Sequence, residues 1–392
     1  MRCVRAPDEL PDHVGLGAAG LAKYVGEIES RERFVHDLYA TLEQALISKV
    51  PFIIPIRAEW GEGKTSIFEV YLSRLSPHEY GKSLRISSAT VFRYIREIIE
   101  GKLFVQTKVP GYRLISGILA ALQEEHHSIL GELLPNPSTY LRAQDYVLIS
   151  IRRLFDYFKN PKSLILFLDE FEDLLTEKED VIREVLSGLV SIANGDVREI
   201  SQGGEFEGKL HLILALTPPA YARLRSMGDL ATIIGRLGGR ERPLELRPLN
   251  RLERYQLLQG FLKFAYKDDS FRLSEIFSPV NCINIIALAS LGNPRHLQKI
   301  LSNIIGFSKH FARELCKDKE MHIITYERLL DYLRNISIDV AGSIWPVISP
   351  ETLAKLMSIL KDFADFSGGR FKFDDLQKLL SLSLIHISEP TR

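Results

Sequence analysis

The sequence predicts an α/β fold: a three-layer domain built on a parallel sheet, followed by a largely α-helical region. Three observations carry this. Short apolar runs of strand length at Phe52–Ile56, Leu164–Leu168 and Leu210–Leu216 are separated by segments of helical periodicity. The first run leads into a glycine-containing loop and then an apolar-periodic helix from Ser66 to Leu75, so strand, loop and helix follow in immediate succession. From Asn250 onward almost only helical periodicity remains.

Each element follows in order. Residues 1–22, rich in Pro, Gly and Ala, read as an irregular arm. A helix is expected to about Leu46, with Ser30 as its cap and acidic residues in its first turn. After the first strand and its helix, Leu84–Ser87 reads as a second strand and Thr90–Ile99 as a helix. Residues 113–158 hold two or three amphipathic helices, broken near Pro135–Ser138. A helix over Glu179–Ala193 follows the strand that ends at Asp169, and Gln202–Gly208 reads as a loop or hairpin tip. A short strand is expected at Pro243–Leu246. The domain boundaries so read are 1–22 for the arm, 23–249 for the α/β domain, 250–345 for a helical lid, 346–382 for a further small domain and 383–392 for a tail.

Composition narrows the classes. With 392 residues and 45% hydrophobic content, the chain can build two or three cores. Lys plus Arg and Asp plus Glu both number 50, so the formal net charge is zero and any nucleic-acid contact must come from a local patch or an assembly. Cys3, Cys282 and Cys316 are few and scattered, which points to a reducing cytoplasm without a metal cluster. The chain has no apolar stretch of about 18 residues and no signal-peptide core, so a soluble cytoplasmic protein with no membrane contact is expected.

Two motifs carry chemistry. Ala58-Glu59-Trp60-Gly61-Glu62-Gly63-Lys64-Thr65-Ser66 is a Walker A phosphate-binding loop with alanine at the first glycine position. Small residues let backbone N–H groups wrap phosphates, Lys64 reaches their β and γ oxygens, and the Thr65 hydroxyl can hold Mg²⁺. The helix beginning there turns its positive end to the anion. Trp60 is expected to pack rather than stack on a base. The second motif, Ser163–Glu170, is an apolar strand ending in two carboxylates, where ligands gather in open α/β sheets. Asp169 suits the Walker B role of holding Mg²⁺ through water, and Glu170 suits polarising the attacking water. Together they define a P-loop NTPase domain that takes ATP and Mg²⁺. The alternative for the second motif is a buried strand running into a solvated acidic turn.

This order of parts resembles the AAA+ ATPases, and within them the archaeal origin-recognition initiator group, over about residues 22–335. Val25-Gly26-Glu27-Ile28-Glu29 is similar to the segment that borders adenine in that group, which implies a nucleotide-binding role for Val25. Thr217, after the strand that follows Walker B, stands where the family places sensor 1, and the Pro218-Pro219 pair stiffens its exit. Threonine is less usual there than asparagine, which leaves the hydrolysis rate more open than binding. Gly292-Asn293-Pro294-Arg295 is similar to sensor 2, implying that Arg295 reaches the γ-phosphate; a plain helix start would explain Pro294 equally well. His296 is expected to pack within the lid. The resemblance also implies an arginine finger supplied by self-association or by a related AAA+ subunit. Arg236 fits that place best, then Arg240, although Gly235–Arg242 could instead be a solvated basic turn or, with Arg247, Arg251 and Arg254, a contact to phosphate backbone.

Residues 351–380 read as two helices around Phe366–Phe373. They form either the truncated start of a winged-helix domain, as initiator relatives carry, or a helical hairpin. Ser383–Arg392 resembles the translated read-through of a sequencing adapter, so a non-native tail is expected there. The leading expectation is an ATP hydrolase whose nucleotide state switches an assembly on double-stranded DNA, in replication initiation or DNA maintenance. The alternative is a switch of the STAND or phage-defence type that acts through protein partners.

Overall fold

The computed structural model describes residues 2–7, 28–49, 52–59, 61–226, 243–290, 292–317 and 319–332. Val25, Trp60, Arg236, Arg240, the 346–382 segment and the 383–392 tail lie outside the described residues. The chain forms two compact units, one of Gly15–Leu257 with Asn293–Arg295, the other of Met1–Val14, Leu258–Gly292 and His296–Arg392.

The elements in chain order are β1 (Cys3–Arg5), α1 (Glu29–Ser48), β2 (Phe52–Arg57), α2 (Lys64–Val70), β3 (Lys82–Ser87), α3 (Ser88–Ile99), α4 (Pro110–Glu125), α5 (His127–Leu130) and α6 (Ala143–Tyr157). They continue with β4 (Leu164–Asp169), α7 (Glu179–Ala193), β5 (Leu210–Leu216), α8 (Pro218–Ser226), β6 (Leu244–Glu245), α9 (Arg251–Tyr266), α10 (Ile283–Ala289), α11 (Pro294–Ala312) and β7 (Glu320–His322).

In the first unit the five strands lie in the order β3-β4-β5-β2-β6, all parallel. Alternation along the strands divides the core in two. Leu164, Leu166 and Leu168 join a cluster with α3, α4, α6 and α7, whereas Ile165 and Phe167 join one with α1 and α2. A sheet buried on both faces makes this the three-layer α/β class that the apolar runs predict. The order also puts β5 between the β2 loop and the carboxylates ending β4, and Ser87 pairs with Asp169 across β3 and β4. The strand ends therefore converge at one edge.

Four details depart from the sequence reading. The helix opened by Ser66 ends at Val70 and passes into a 3-10 turn at Leu72–Arg74. Ser30 is not a cap: α1 starts at Glu29, Ile28 stands in the cap position without a side-chain bond, and the Ser30 backbone N–H donates instead to Glu253 Oε1 at 2.7 Å. Within the arm, Cys3–Arg5 is a strand, because it finds β7 as an antiparallel partner far along the chain. That pairing lies in the second unit, where it also brings Cys3 to Cys316; the two are disulfide-bonded across 313 residues of sequence, while Cys282 is a buried thiol. Long-range pairing leaves no periodic trace, which is why the cysteines look merely scattered in the sequence.

No helix among the described residues is long and apolar enough to cross a membrane.

Candidate nucleotide site

The loop between β2 and α2 is shaped by its backbone. Gly61 and Gly63 take φ of +84° and +100°, a region open to glycine at little cost. A Cβ on Gly61 would also lie 2.7 Å from Asn293 Oδ1, so this glycine admits the 293–295 segment. Ala58 is buried among the residues beneath the sheet, and its N–H donates to Leu216 O at 3.0 Å. The methyl that departs from the usual glycine thus sits in core rather than in the mouth of the loop. Glu62 Oε2 accepts from the Glu59 N–H at 2.7 Å, while the Glu62 N–H donates to Glu59 O at 3.2 Å, closing a reciprocal turn. Burial pushes the Glu62 carboxyl up, against the backbone bond from Glu59 and the charge of Arg31.

Lys64 is buried, donates from Nζ to Ala58 O at 2.9 Å and faces Glu172 at 3.5 Å. Burial raises the Glu172 carboxyl and the nearby lysine opposes that rise. Thr65 Oγ1 donates to Asp169 Oδ2 at 2.8 Å, tying the first turn of α2 to the end of β4. Arg85 of β3 holds the same Oδ2, from Nε at 3.0 Å and from its terminal nitrogen at 2.8 Å. A hydroxyl and a carboxylate oxygen form the hard donor set that Mg²⁺ prefers, and a guanidinium cation already rests on that carboxylate. The residues present fit the ion.

Glu170 is exposed and left-handed at φ 55°, its N–H donating to Asp169 Oδ1 at 3.1 Å. Lys49, Phe104, Lys159, Asn160 and Lys267 adopt the same region elsewhere in the chain. Thr217 is half-buried one residue beyond β5. Asn293 caps α11 by accepting the Arg295 N–H at 3.0 Å, with Pro294 at the first helical position, and the same N–H lies 3.4 Å from Gly61 O. The helix-start reading of this segment therefore holds. The segment also borders the loop, with exposed Arg295 beside Gly61.

Beside the loop lies a small, part-open hollow lined by Ile28, Ile67, Leu249, Leu257 and Pro294 and edged by Arg31, Glu62, Gly63 and Ser66. Arg31 crosses it, donating to Arg247 O at 2.8 Å and Glu62 O at 3.0 Å. Burial pulls its pKa down to about 10, with Glu62 and Glu253 opposing, so it stays charged at neutral pH.

Among the described residues, the structure thus bonds Thr65 to Asp169, holds Lys64 against Ala58 O and Glu172, and brings Arg295 to Gly61. It gives Glu170 and Thr217 positions at the strand ends without a side-chain bond to that group. Sequence reading missed Arg31, Arg85 and Glu172. Arg85 could have been found only from the strand order, which places β3 beside β4. Glu172 stood in the acidic turn after Asp169, where its position alone did not single it out.

No protein-family model and no curated protein matches this chain. Solved structures do. The chain is similar to the ORC2 protein of Aeropyrum pernix, at 14% identity over 92% of this chain and 81% of that one, with a TM-score of 0.48. It is similar to a Walker-type ATPase of Pyrococcus abyssi, at 15% identity over 90% and 87%, with a TM-score of 0.44. It is also similar to Drosophila ORC bound to DNA, at 14% identity over 95% and 85%, with a TM-score of 0.37.

Proposed function

We propose that this chain is an ATPase of the AAA+ type, binding and hydrolysing ATP with Mg²⁺ as a conformational switch. The observation that carries the reading is the 2.8 Å bond from Thr65 to Asp169, which unites two motifs 104 residues apart beside a buried lysine. A buried strand with a solvated acidic turn would not require that bond.

Lys64 exchanges its contacts to Ala58 O and Glu172 for phosphate oxygens, for which its charge and depth suit it. The N–H groups of Gly61, Gly63 and the following turn supply the remaining donors. The apolar side chains of Ile28 and Ile67 beside the loop border the adenine, with Ser66 and Arg31 at its edge. Thr65 and Asp169 hold Mg²⁺, which neutralises charge on the phosphates when bound. Glu170 accepts hydrogen bonds from the attacking water and Thr217 orients it. Arg295 reads the γ-phosphate from beside Gly61, and Arg236 or Arg240 of a neighbouring copy completes the charge on the transition state.

The motif resemblance extends the proposal to a role on double-stranded DNA; the alternative is a switch addressed to protein partners. Steady-state ATP hydrolysis, with and without duplex DNA, tests both levels. The Glu170→Gln variant is expected to bind ATP and turn it over at least about 10²-fold more slowly, the span of a lost general base. Wild-type turnover in that variant removes Glu170 from the mechanism. Turnover indifferent to DNA moves the proposal to the protein-partnered switch, and no hydrolysis under any condition refutes the ATPase itself.

A further inference from the structure

We propose that Cys3, Cys316 and His322, in the second unit, form a zinc site when the two cysteines are thiols. In the antiparallel pair of β1 and β7, Cys3 stands directly opposite His322, so their side chains leave the same face of the ladder. The stretch after α11 brings Cys316 to them, and one ligand atom from each of the three lies within 4.8 Å of the others. His322 is 3% exposed. Its Nε2 is 3.1 Å from the carbonyl oxygen of Phe311. A carbonyl only accepts, so Nε2 carries the hydrogen, which in the neutral tautomer puts the lone pair on Nδ1. This is the arrangement that orients metal-binding histidines, in which the second nitrogen is fixed by a backbone acceptor.

The Nδ1 atom lies 3.8 Å from Cys316 Sγ. A disulfide sulfur has no hydrogen to give, so in the oxidised chain that buried lone pair meets a group that cannot donate. In the reduced chain a metal ion held by the two thiolates satisfies that lone pair. Tetrahedral zinc, with bonds of about 2.3 Å to sulfur and 2.0–2.1 Å to nitrogen, sets sulfur and nitrogen roughly 3.6 Å apart and two sulfurs roughly 3.8 Å apart. Nδ1 already stands near that spacing from Cys316 Sγ, and the two sulfurs must separate. Two thiolates and a neutral imidazole balance the charge of Zn²⁺ and suit its preference for sulfur and nitrogen, leaving the fourth position to water.

The balance of the exchange is simple. A thiol or phosphine reductant gives two electrons to the S–S bond, which breaks while each sulfur takes up one proton. Zinc binding then releases both protons to solvent. In either state the N-terminal strand is fastened to a residue 313 positions later.

The test uses the full chain, reduced with a phosphine under argon, stripped of metal and titrated first with Co²⁺ and then with Zn²⁺. About one cobalt per chain is expected, with the thiolate-to-cobalt absorption of a tetrahedral site, bleached when zinc displaces it. The oxidised chain is expected to show no such band. Cys282→Ser should titrate as the parent does, whereas Cys3→Ser and His322→Gln should each weaken uptake by at least about tenfold. A reduced parent chain that takes up no cobalt and no zinc overturns the proposal without any variant. Undiminished uptake in a Cys3→Ser, Cys316→Ser double variant overturns it equally, leaving a disulfide with a bystander histidine.

Discussion

Asp169 Oδ2 receives three donors: the Thr65 hydroxyl and two nitrogens of Arg85. If Thr65 and Asp169 hold Mg²⁺ as proposed, Arg85 competes with the ion, since both cations seek the same oxygen. Arg85→Ala is therefore expected to lower the Mg²⁺ concentration for half-maximal ATP turnover several-fold, by removing a charge-assisted pair that the ion must displace. An unchanged Mg²⁺ titration would show that Arg85 and metal do not compete. The same cluster shows what residues alone disclose. Lys64, Thr65 and Asp169 were legible because each belongs to a motif whose strand and helix can be read from local periodicity. Arg85 was not, because its role depends on β3 lying next to β4, a pairing no local pattern encodes. Arg31 was equally hidden: its two backbone acceptors, Glu62 O and Arg247 O, come from opposite ends of the domain's sequence.

At the scale of elements, Glu253 shows one side chain closing two helices. Its carboxylate accepts the Asn250 N–H at 2.8 Å, while Asn250 Oδ1 accepts the Glu253 N–H at 3.0 Å, a capping box that opens α9. The other oxygen takes the Ser30 N–H of α1. Burial raises this carboxyl, but the bonds from Ser30 and Asn250 win and hold it below the ordinary glutamate range. Glu253→Gln is expected to cost about 1–2 kcal/mol in chemical denaturation; a change within error would show that the caps are replaceable. The Asn-x-x-Glu spacing at 250–253 was visible in the sequence, whereas its reach to α1 was not. In β5, His211 is fully buried and its pKa falls from 6.5 to about 4 by burial. Because the folded value lies below the unfolded one, the stability is intact above pH 6.5 and is lost as pH falls towards 4, at up to about 1.4 kcal/mol per pH unit. His211→Leu should flatten the difference between unfolding free energies at pH 7 and pH 5. An identical pH dependence in both proteins would assign the loss to other groups.

At the scale of the molecule, the α/β unit was legible and the composition of the second unit was not. Strands buried on both faces announce themselves as apolar runs; a three-residue strand at Cys3–Arg5 that pairs with Glu320–His322 does not. The resulting division has a thermodynamic consequence. All described residues proposed to meet ATP, from Ile28 to Arg295, belong to one unit, whereas the Cys3–Cys316 link belongs to the other. A ligand that binds only the folded state stabilises by about 2.7 kcal/mol at a hundred times its Kd. In calorimetry, ATP with Mg²⁺ is accordingly expected to raise the transition of the unit that holds Lys64, and Lys64→Ala should abolish that rise together with ATP binding. Reducing the disulfide in metal-free buffer removes a cross-link worth about 2–5 kcal/mol and should lower the transition of the other unit in parent and variant alike. An ATP-dependent rise that survives Lys64→Ala would place the nucleotide elsewhere. A response to reduction that disappears in Lys64→Ala would mean that the two units do not unfold separately, because only then can a lesion in one hide a lesion in the other.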